Sequence, residues 1–110
     1  MRKEYEIIRV QLSYMGLPIK ENFFLYIENA EKCFEQHIKD HSKDLASKED
    51  LDGPEPLEIN TKINDDRNKE ATMYVWNKVS YEHAEYDIEP RSVLLEFIKA
   101  EEQKENESWD

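Results

Sequence analysis

Glycine and proline occupy only three places in this chain, and these places limit where helices and strands can begin and end. Gly16 and Pro18 form the first place, the run Gly53-Pro54-Glu55-Pro56 the second, and Pro90 the third. Glycine supplies backbone angles that other residues avoid, while proline lacks a hydrogen-bond donor and interrupts helices and sheet ladders. The chain is therefore divided into four segments.

The first segment, Tyr5 to Tyr14, alternates apolar and polar positions and is rich in β-branched residues, which predicts a β-strand. A helix through Tyr5, Ile8, Leu12 and Met15 is the competing interpretation.

After Pro18, apolar residues recur every three or four positions, as they do on one face of an α-helix. Proline is tolerated in the first turn of a helix, where its missing N–H would have no partner. We expect a helix from about Ile19 to the region 42–44. Its apolar face is formed by Phe23, Ile27, Ala30, Phe34 and Ile38.

The third segment opens with a polar and acidic stretch, residues 46–56, which predicts a mobile loop. Alternation returns in Leu57 to Ile63 and predicts a half-buried strand, followed by turn residues at 64–68. Residues 72–76 and 79–88 are aromatic and β-branched. Between them, Asn77-Lys78 either closes a tight hairpin or lies within one long strand that contains a bulge.

From Pro90 onward, Val93, Leu94, Phe97 and Ile98 predict an amphipathic helix that fades into an acidic end. The expected fold class is α+β, with a small antiparallel sheet of three to four strands packed against two helices in the order β-α-β-β-(β)-α. Residues 1–104 are expected to form a single domain, and residues 105–110 a flexible acidic tail.

The chain is strongly acidic, with 15 Lys and Arg against 26 Asp and Glu among 110 residues and a formal net charge of -11. Because phosphate contacts are made by Lys and Arg, direct binding to nucleic acid or to an anionic membrane is disfavoured. A basic protein surface is the expected partner. The single Cys33 cannot form an internal disulfide, and no apolar leader or membrane-length stretch is present, which favours a cytoplasmic location.

Cys33, His37 and His41 lie four residues apart on the predicted helix and form one row of side chains of the kinds that bind zinc or copper. His83 or Asp40 would be the fourth ligand. In the alternative interpretation this row borders the buried face, with the histidines near the helix C-terminus. A single row on one helix cannot supply three well-angled tetrahedral ligands, so we expect no metal and no other cofactor.

Catalytic signatures are lacking in this sequence. Two glycines in the whole chain leave no phosphate-binding loop, and no serine lies in a glycine-flanked nucleophile elbow. We therefore expect a protein that is not an enzyme.

Acidic residues are concentrated toward the C-terminus. Residues 80–110 contain 10 acidic and 3 basic residues, a net charge of -7. On the strand predicted for residues 79–88, Tyr81, His83, Glu85 and Asp87 share one face, so that Tyr81 is exposed. Ala84, Tyr86 and Ile88 share the other face, so that Tyr86 is a core residue. Trp76 fits either environment.

Acidic residues interleaved with large aromatics are typical of a protein-binding surface. The predicted partner-binding residues are Tyr81, Glu82, Glu85, Asp87, Glu89, Glu101, Glu102 and Trp109.

These features lead to the hypothesis of a small acidic binding protein. It would inhibit or mask a basic, nucleic-acid-handling protein such as a nuclease, as immunity proteins and phage or plasmid antagonists do. Its carboxylates would imitate the phosphates of a nucleic acid. The alternatives are a homodimeric structural or regulatory subunit, joined through a sheet edge or the first helix, and a metal-binding protein that uses the Cys33 row.

Overall fold

Five strands in a single antiparallel sheet, crossed on one face by one helix, make up the described part of the chain. The structure is a computed structural model that describes residues 4–80, 82 and 85–101. The strands are β1 (Glu4–Tyr14), β2 (Leu17–Phe24), β3 (Leu57–Thr61), β4 (Lys69–Ser80) and β5 (Glu85–Glu101), and helix α1 (Ile27–His41) lies between β2 and β3 in the chain. The strand order is β2-β1-β5-β4-β3.

This mostly-sheet architecture contradicts the predicted sheet packed against two helices. The segment after Pro90, predicted as the second helix, belongs to β5, the central strand of the sheet. Val93 and Leu95 are fully buried under α1, while Leu94 and Ile98 lie half-buried on the opposite face. A strand that is apolar on both faces has lost the alternation that identifies a strand, and its residues then fit a helical spacing equally well.

Pro90 interrupts neither β5 nor its ladder. Its carbonyl accepts a hydrogen bond of 2.7 Å from the N–H of Met15, which marks the place where β1 ends. The nitrogen of Pro90 points to the same side as its carbonyl, toward the end of β1. The lack of an N–H therefore removes no hydrogen bond between β5 and β4. A proline at this position is compatible with a central strand.

Helix α1 is shorter than predicted, because it begins at Ile27 and not near Ile19. Met15 and Gly16 have φ values of 53° and 81°, and together they close a two-residue turn that folds β2 back along β1. Positive φ at both central residues is the geometry that such hairpins favour. The end of the helix at His41 lies one residue before the predicted region 42–44.

Two predicted strands are confirmed, and of the two interpretations of Asn77-Lys78 the tight hairpin is wrong. The first strand and the strand from Leu57 are present as β1 and β3. Asn77 and Lys78 do not close a hairpin, since β4 continues through them to Ser80 with a register shift between Lys78 and Ser80. The connection to β5 therefore falls between Ser80 and Glu85.

Helix α1 packs across β1, β5 and β2 and encloses the core. Its side chains Ala30 and Phe34 are almost fully buried against the inward positions of the strands. The sheet contributes Ile8, Val10, Leu12, Ala71, Met73, Val93 and Leu95 to this core. The helix has 15 residues, and in the described ranges no helix is long and apolar enough to cross a membrane.

The opposite face of the sheet is uncovered by any other described element and is closed only by its own side chains. The ion pair between Arg9 and Glu96, at 2.7 Å across β1 and β5, lies at its centre. The side chains of Ile7, Leu94 and Ile98 around this pair are half-buried. This face is therefore mixed in polarity.

The stretch predicted as a mobile loop between α1 and β3 is attached to the sheet by its backbone. The N–H of Ala46 donates to the carbonyl of Tyr74, and the N–H of Trp76 donates to the carbonyl of Asp44, both at 2.9 Å. Residues 44–46 thus extend the outer edge of the sheet past the end of β3.

Asn68 closes the sheet where β4 begins. Its side chain is 4% exposed, donates to the carbonyl of Ile63 and accepts from the N–H of Phe97, each at 2.8 Å. The bond to Phe97 lies where β5 continues past the first residue of β4. One side chain therefore replaces the missing backbone partner of β5.

Candidate functional site

Beyond the end of the β1–β2 hairpin, strands β4 and β5 continue as a two-stranded projection, residues 76–80 and 85–88, here called the arm. The last β1 residue, Tyr14, lies opposite Arg91, and residues 44–46 end their pairing with β4 at Trp76. Among the described residues, no strand flanks the arm on either side past these points. The long dimension of 59 Å, against 31 and 21 Å, is close to the length of the 17-residue strand β5 at about 3.3 Å per residue.

The two faces of the arm differ in chemistry. Glu85 and Asp87 lie on the face that α1 covers farther along β5, and both side chains are exposed. Neighbouring positions of the same face on a strand are about 7 Å apart. Tyr86 and Ile88 lie on the other face beside Trp76, with Tyr86 58% and Trp76 38% exposed. The prediction that Tyr86 is a core residue is wrong, because helix α1 packs on the other side of the sheet.

An acidic loop borders the arm. Residues 43–55 contain five acidic and two basic residues. Ser47 and Asp50 exchange two hydrogen bonds of 3.1 Å. The bonds from Ser47, and to a smaller extent one from the Trp76 side chain, hold the pKa of Asp50 below its usual value. Trp76 is thus the contact between the loop and the arm, and the acidic surface is larger than the strand alone.

Glu89 has an internal role. It is 7% exposed, and its carboxylate lies 3.4 Å from Nη2 of Arg91. The guanidinium of Arg91 also donates to the carbonyl of His41 at 3.1 Å and lies 4.3 Å from the centre of the Tyr14 ring. Arg91 therefore caps the C-terminus of α1, and Glu89 balances its charge. We leave Glu89 out of the proposed binding surface.

The remaining predicted partner-binding residues are dispersed. Glu82 is exposed in the connection between β4 and β5. Glu101 lies at the far end of β5, paired with Glu4, some 16 residues along the strand from Glu85. Tyr81, Glu102 and Trp109 lie outside the described residues. Of the predicted set, the structure therefore brings together Glu82, Glu85 and Asp87.

The Cys33, His37 and His41 row faces β1 and β2 and takes part in a polar network. The Tyr14 hydroxyl and Nδ1 of His41 share a hydrogen bond of 2.5 Å. Nε2 of His37 lies 3.4 Å, and Sγ of Cys33 3.7 Å, from Oδ1 of Asn22. In the described part of the chain, no group of three or more His, Cys, Asp or Glu is placed to hold a metal ion.

Burial favours the uncharged forms of the three side chains in this network. Burial, followed by the charge of neighbouring His41, lowers the pKa of His37, while burial followed by Arg91 lowers the pKa of His41. Burial raises the pKa of the Cys33 thiol. A thiol held protonated is a poor nucleophile, so this network has the character of a packed helix end.

Sequence reasoning missed the loop acids and the exposure of Tyr86. The loop acids were visible as composition, but their position beside the arm depends on the pairing of residues 44–46 with β4. Comparison of the chain with protein-family models, curated proteins and solved structures gives no match.

Proposed function

We propose that this protein is a non-enzymatic binding protein that holds a basic surface of another protein on its arm and the adjoining acidic loop. The observation that carries this proposal is the placement of exposed carboxylates on one face of the arm and exposed aromatic rings on the other. The proposed partner is a nuclease or another nucleic-acid-handling protein, because the substrate site of such a protein is basic. Occupation of that site would inhibit the partner.

Electrostatics supports a basic partner. The spacing of about 7 Å between same-face carboxylates on a strand is close to the phosphate spacing of a nucleic-acid strand. Residues 43–55 and 76–88 together contain eight acidic residues and three lysines. A surface with this excess of one sign attracts a cationic groove and raises the rate of association.

The aromatic face supplies the second part of the interaction. Charged pairs at the rim of an interface contribute little affinity on their own, whereas a desolvated aromatic side chain often contributes 2 kcal/mol or more, roughly, to binding. Tyr86 and Trp76 are the exposed rings of the arm. We expect them to be the anchor and the carboxylates to select the partner by charge.

The proposal is tested by charge reversal with a matched control. The arm variant E82K/E85K/D87K is compared with E28K/E31K/E35K, which makes the same change of charge at exposed positions of α1. Partners captured from a lysate by the unchanged protein are identified by mass spectrometry. Their affinities for each variant are then measured at about 50 and about 300 mM salt, a range over which exposed charges become largely screened.

We expect the arm variant to lose at least about tenfold in affinity and most of its salt dependence, while the helix variant keeps both. Tyr86→Ala should weaken binding, and Tyr26→Ala, at an exposed tyrosine far from the arm, should not. The partner's enzymatic activity should be inhibited by the unchanged protein and by the helix variant, and much less by the arm variant. A partner that is not basic, or equal losses in the two charge variants, would refute the proposal.

A further inference from the structure

The geometry points to a second interaction surface, the outer edge of β2, on which a second copy of this chain would pair. Strand β2 is an edge of the sheet, and apolar side chains are concentrated in and around it. Six of the ten large hydrophobic side chains recorded as exposed in the described part of the chain lie within twelve residues: Met15, Leu17, Ile19, Phe23, Leu25 and Tyr26.

The backbone of β2 presents open hydrogen-bonding groups at this edge. The bond from Met15 N–H to Pro90 shows that odd-numbered residues of β1 bond to β5. Even-numbered β1 residues therefore bond to β2, through Asn22 and Phe24, which lie opposite Val10 and Ile8. In an antiparallel ladder the intervening residues direct both their N–H and C=O to the other side. The backbone groups of Glu21 and Phe23 consequently face outward.

Two features confine pairing to one part of the strand. Pro18 has no N–H to offer, and the register shift between Leu12 and Ser13 places an irregularity at Ile19. Proline and bulges are devices that blunt sheet edges. The five residues from Lys20 to Phe24 lie in regular register and remain available.

Charge distinguishes this edge from the rest of the molecule. Residues 12–27 contain only Lys20 and Glu21 as charged residues, in a chain of net charge -11. The Glu21 carboxylate is directed toward β1, where it accepts a hydrogen bond from Gln11 at 2.6 Å and lies 3.9 Å from the Arg9 guanidinium. A basic partner would find no free carboxylate along this edge. A neutral apolar edge matches another neutral apolar edge.

The sequence of β2 is self-complementary about Asn22. A two-fold axis through this residue, perpendicular to the sheet, places Glu21 opposite Phe23 and Lys20 opposite Phe24 of the second copy. No like charges are directly opposed in this register. Centring the axis on Glu21 would oppose two carboxylates, which is destabilising. Glu21 and Phe23 would exchange four backbone hydrogen bonds across the axis, and two five-stranded sheets would become one of ten strands.

The helices do not obstruct this arrangement. Helix α1 packs chiefly on β1 and β5, with fewer contacts to β2. The two helices of the pair would lie on the same face of the joined sheet. The two β1 strands would be separated by three strand spacings, about 14 Å. The axes of packed helices are about 8–10 Å apart, so helices that lie over β1 and β5 would not clash.

Sedimentation velocity on the full chain tests the pairing. We expect a species of twice the chain mass of 13.2 kDa, with a dissociation constant on the order of 1–10 µM for an interface of modest size. Phe23→Lys should shift the protein to the monomer. Ile59→Lys, which places the same charge at an exposed apolar position of β3, the other edge strand, should leave the dimer intact.

Cross-linking tests the register. Asn22→Cys is made together with Cys33→Ser, since Cys33 lies beside Asn22 and would otherwise react with the new thiol. Across the two-fold axis the two Cα atoms would be about 4.5 Å apart, within reach of a disulfide. Mild oxidation should link two copies through residue 22. Asn60→Cys, at the matching position of β3 and in the same Cys33→Ser background, should not link.

Each result decides the inference. A monomer for the unchanged protein, or a dimer that survives Phe23→Lys, would overturn the assignment of the β2 edge. A dimer that dissociates with Phe23→Lys but fails to cross-link at residue 22 would overturn the register.

Discussion

Asn68 is the residue whose replacement most directly measures how the sheet is held where β4 begins. Its amide donates to Ile63 and accepts from Phe97, each bond measuring 2.8 Å, and the residue is 4% exposed. Asn68→Ala removes both hydrogen bonds, and the alanine side chain has no polar atom to replace them. The carbonyl of Ile63 and the N–H of Phe97 then lose their partner.

The magnitude follows from the two bonds. Each hydrogen bond contributes about 0.5–1.5 kcal/mol net, and a buried partner left unsatisfied raises the loss to about 1–3 kcal/mol. Both bonds are only partly buried, so water can reach the orphaned groups, and we expect the lower half of that range. The free energy of unfolding should fall by about 2–4 kcal/mol, and Tm by about 10–25 °C for a domain of this size.

Urea unfolding followed by far-UV circular dichroism measures this loss. Asn60→Ala, at an exposed position of β3, is the matched control and should change stability by less than about 0.5 kcal/mol. Amide hydrogen exchange should show faster exchange at Phe97 in the Asn68 variant. A loss below about 1 kcal/mol, or an equal loss in the control, would show that the side-chain bridge does not hold β5.

Two further predictions concern the helix. As the pH falls below about 6.5, the urea midpoint should decrease, because burial lowers the pKa of His37 and His41 in the folded protein and the unfolded chain therefore binds more protons in this window. Replacing both histidines with Gln should flatten this dependence, and an unchanged slope would contradict it. Phe34→Ala should reduce the free energy of unfolding by about 3–5 kcal/mol, because Phe34 is 1% exposed in the core. A loss under about 2 kcal/mol, measured by the same urea titration, would mean that the site collapses around the smaller side chain.

The elements that the sequence predicts correctly are those with one buried face. In β1, the residues Ile8, Val10 and Leu12 alternate with polar neighbours, because only one side of the strand meets α1. Within α1, the spacing of Ala30 and Phe34 identifies the buried side in the same way. A local pattern is sufficient where burial alternates with the period of the element itself.

Strands β2 and β5 could not be assigned by the same reasoning. Central β5 is apolar on both faces, so it shows no alternation. Edge strand β2 was missed because the residues that follow the Met15-Gly16 turn repeat at a spacing that also fits the start of a helix. Long-range pairing decides both assignments, and it is not encoded in any short window of sequence.

The candidate site shows the same limit. The acidic character of residues 82–87 is a matter of composition and was predicted. Exposure of Tyr86 depends on which face of β5 the helix covers, and burial of Glu89 depends on how far β1 and α1 extend along that strand. Two residues three positions apart on one strand thus differ in exposure, and the neighbours that cause the difference lie far away in the chain.

The central position of β5 has a consequence for how the protein folds. Hairpins β1–β2 and β3–β4 are local, but a hairpin alone is only marginally stable in water. They lie on opposite sides of β5, and no strand of one pairs with a strand of the other. The pairing of Glu4 with Glu101 closes almost the whole described chain. Folds dominated by such distant contacts fold slowly. During synthesis the two hairpins cannot join into one sheet until the central strand β5 has been made. A chain that ends before Glu85 would therefore lack the strand that connects them.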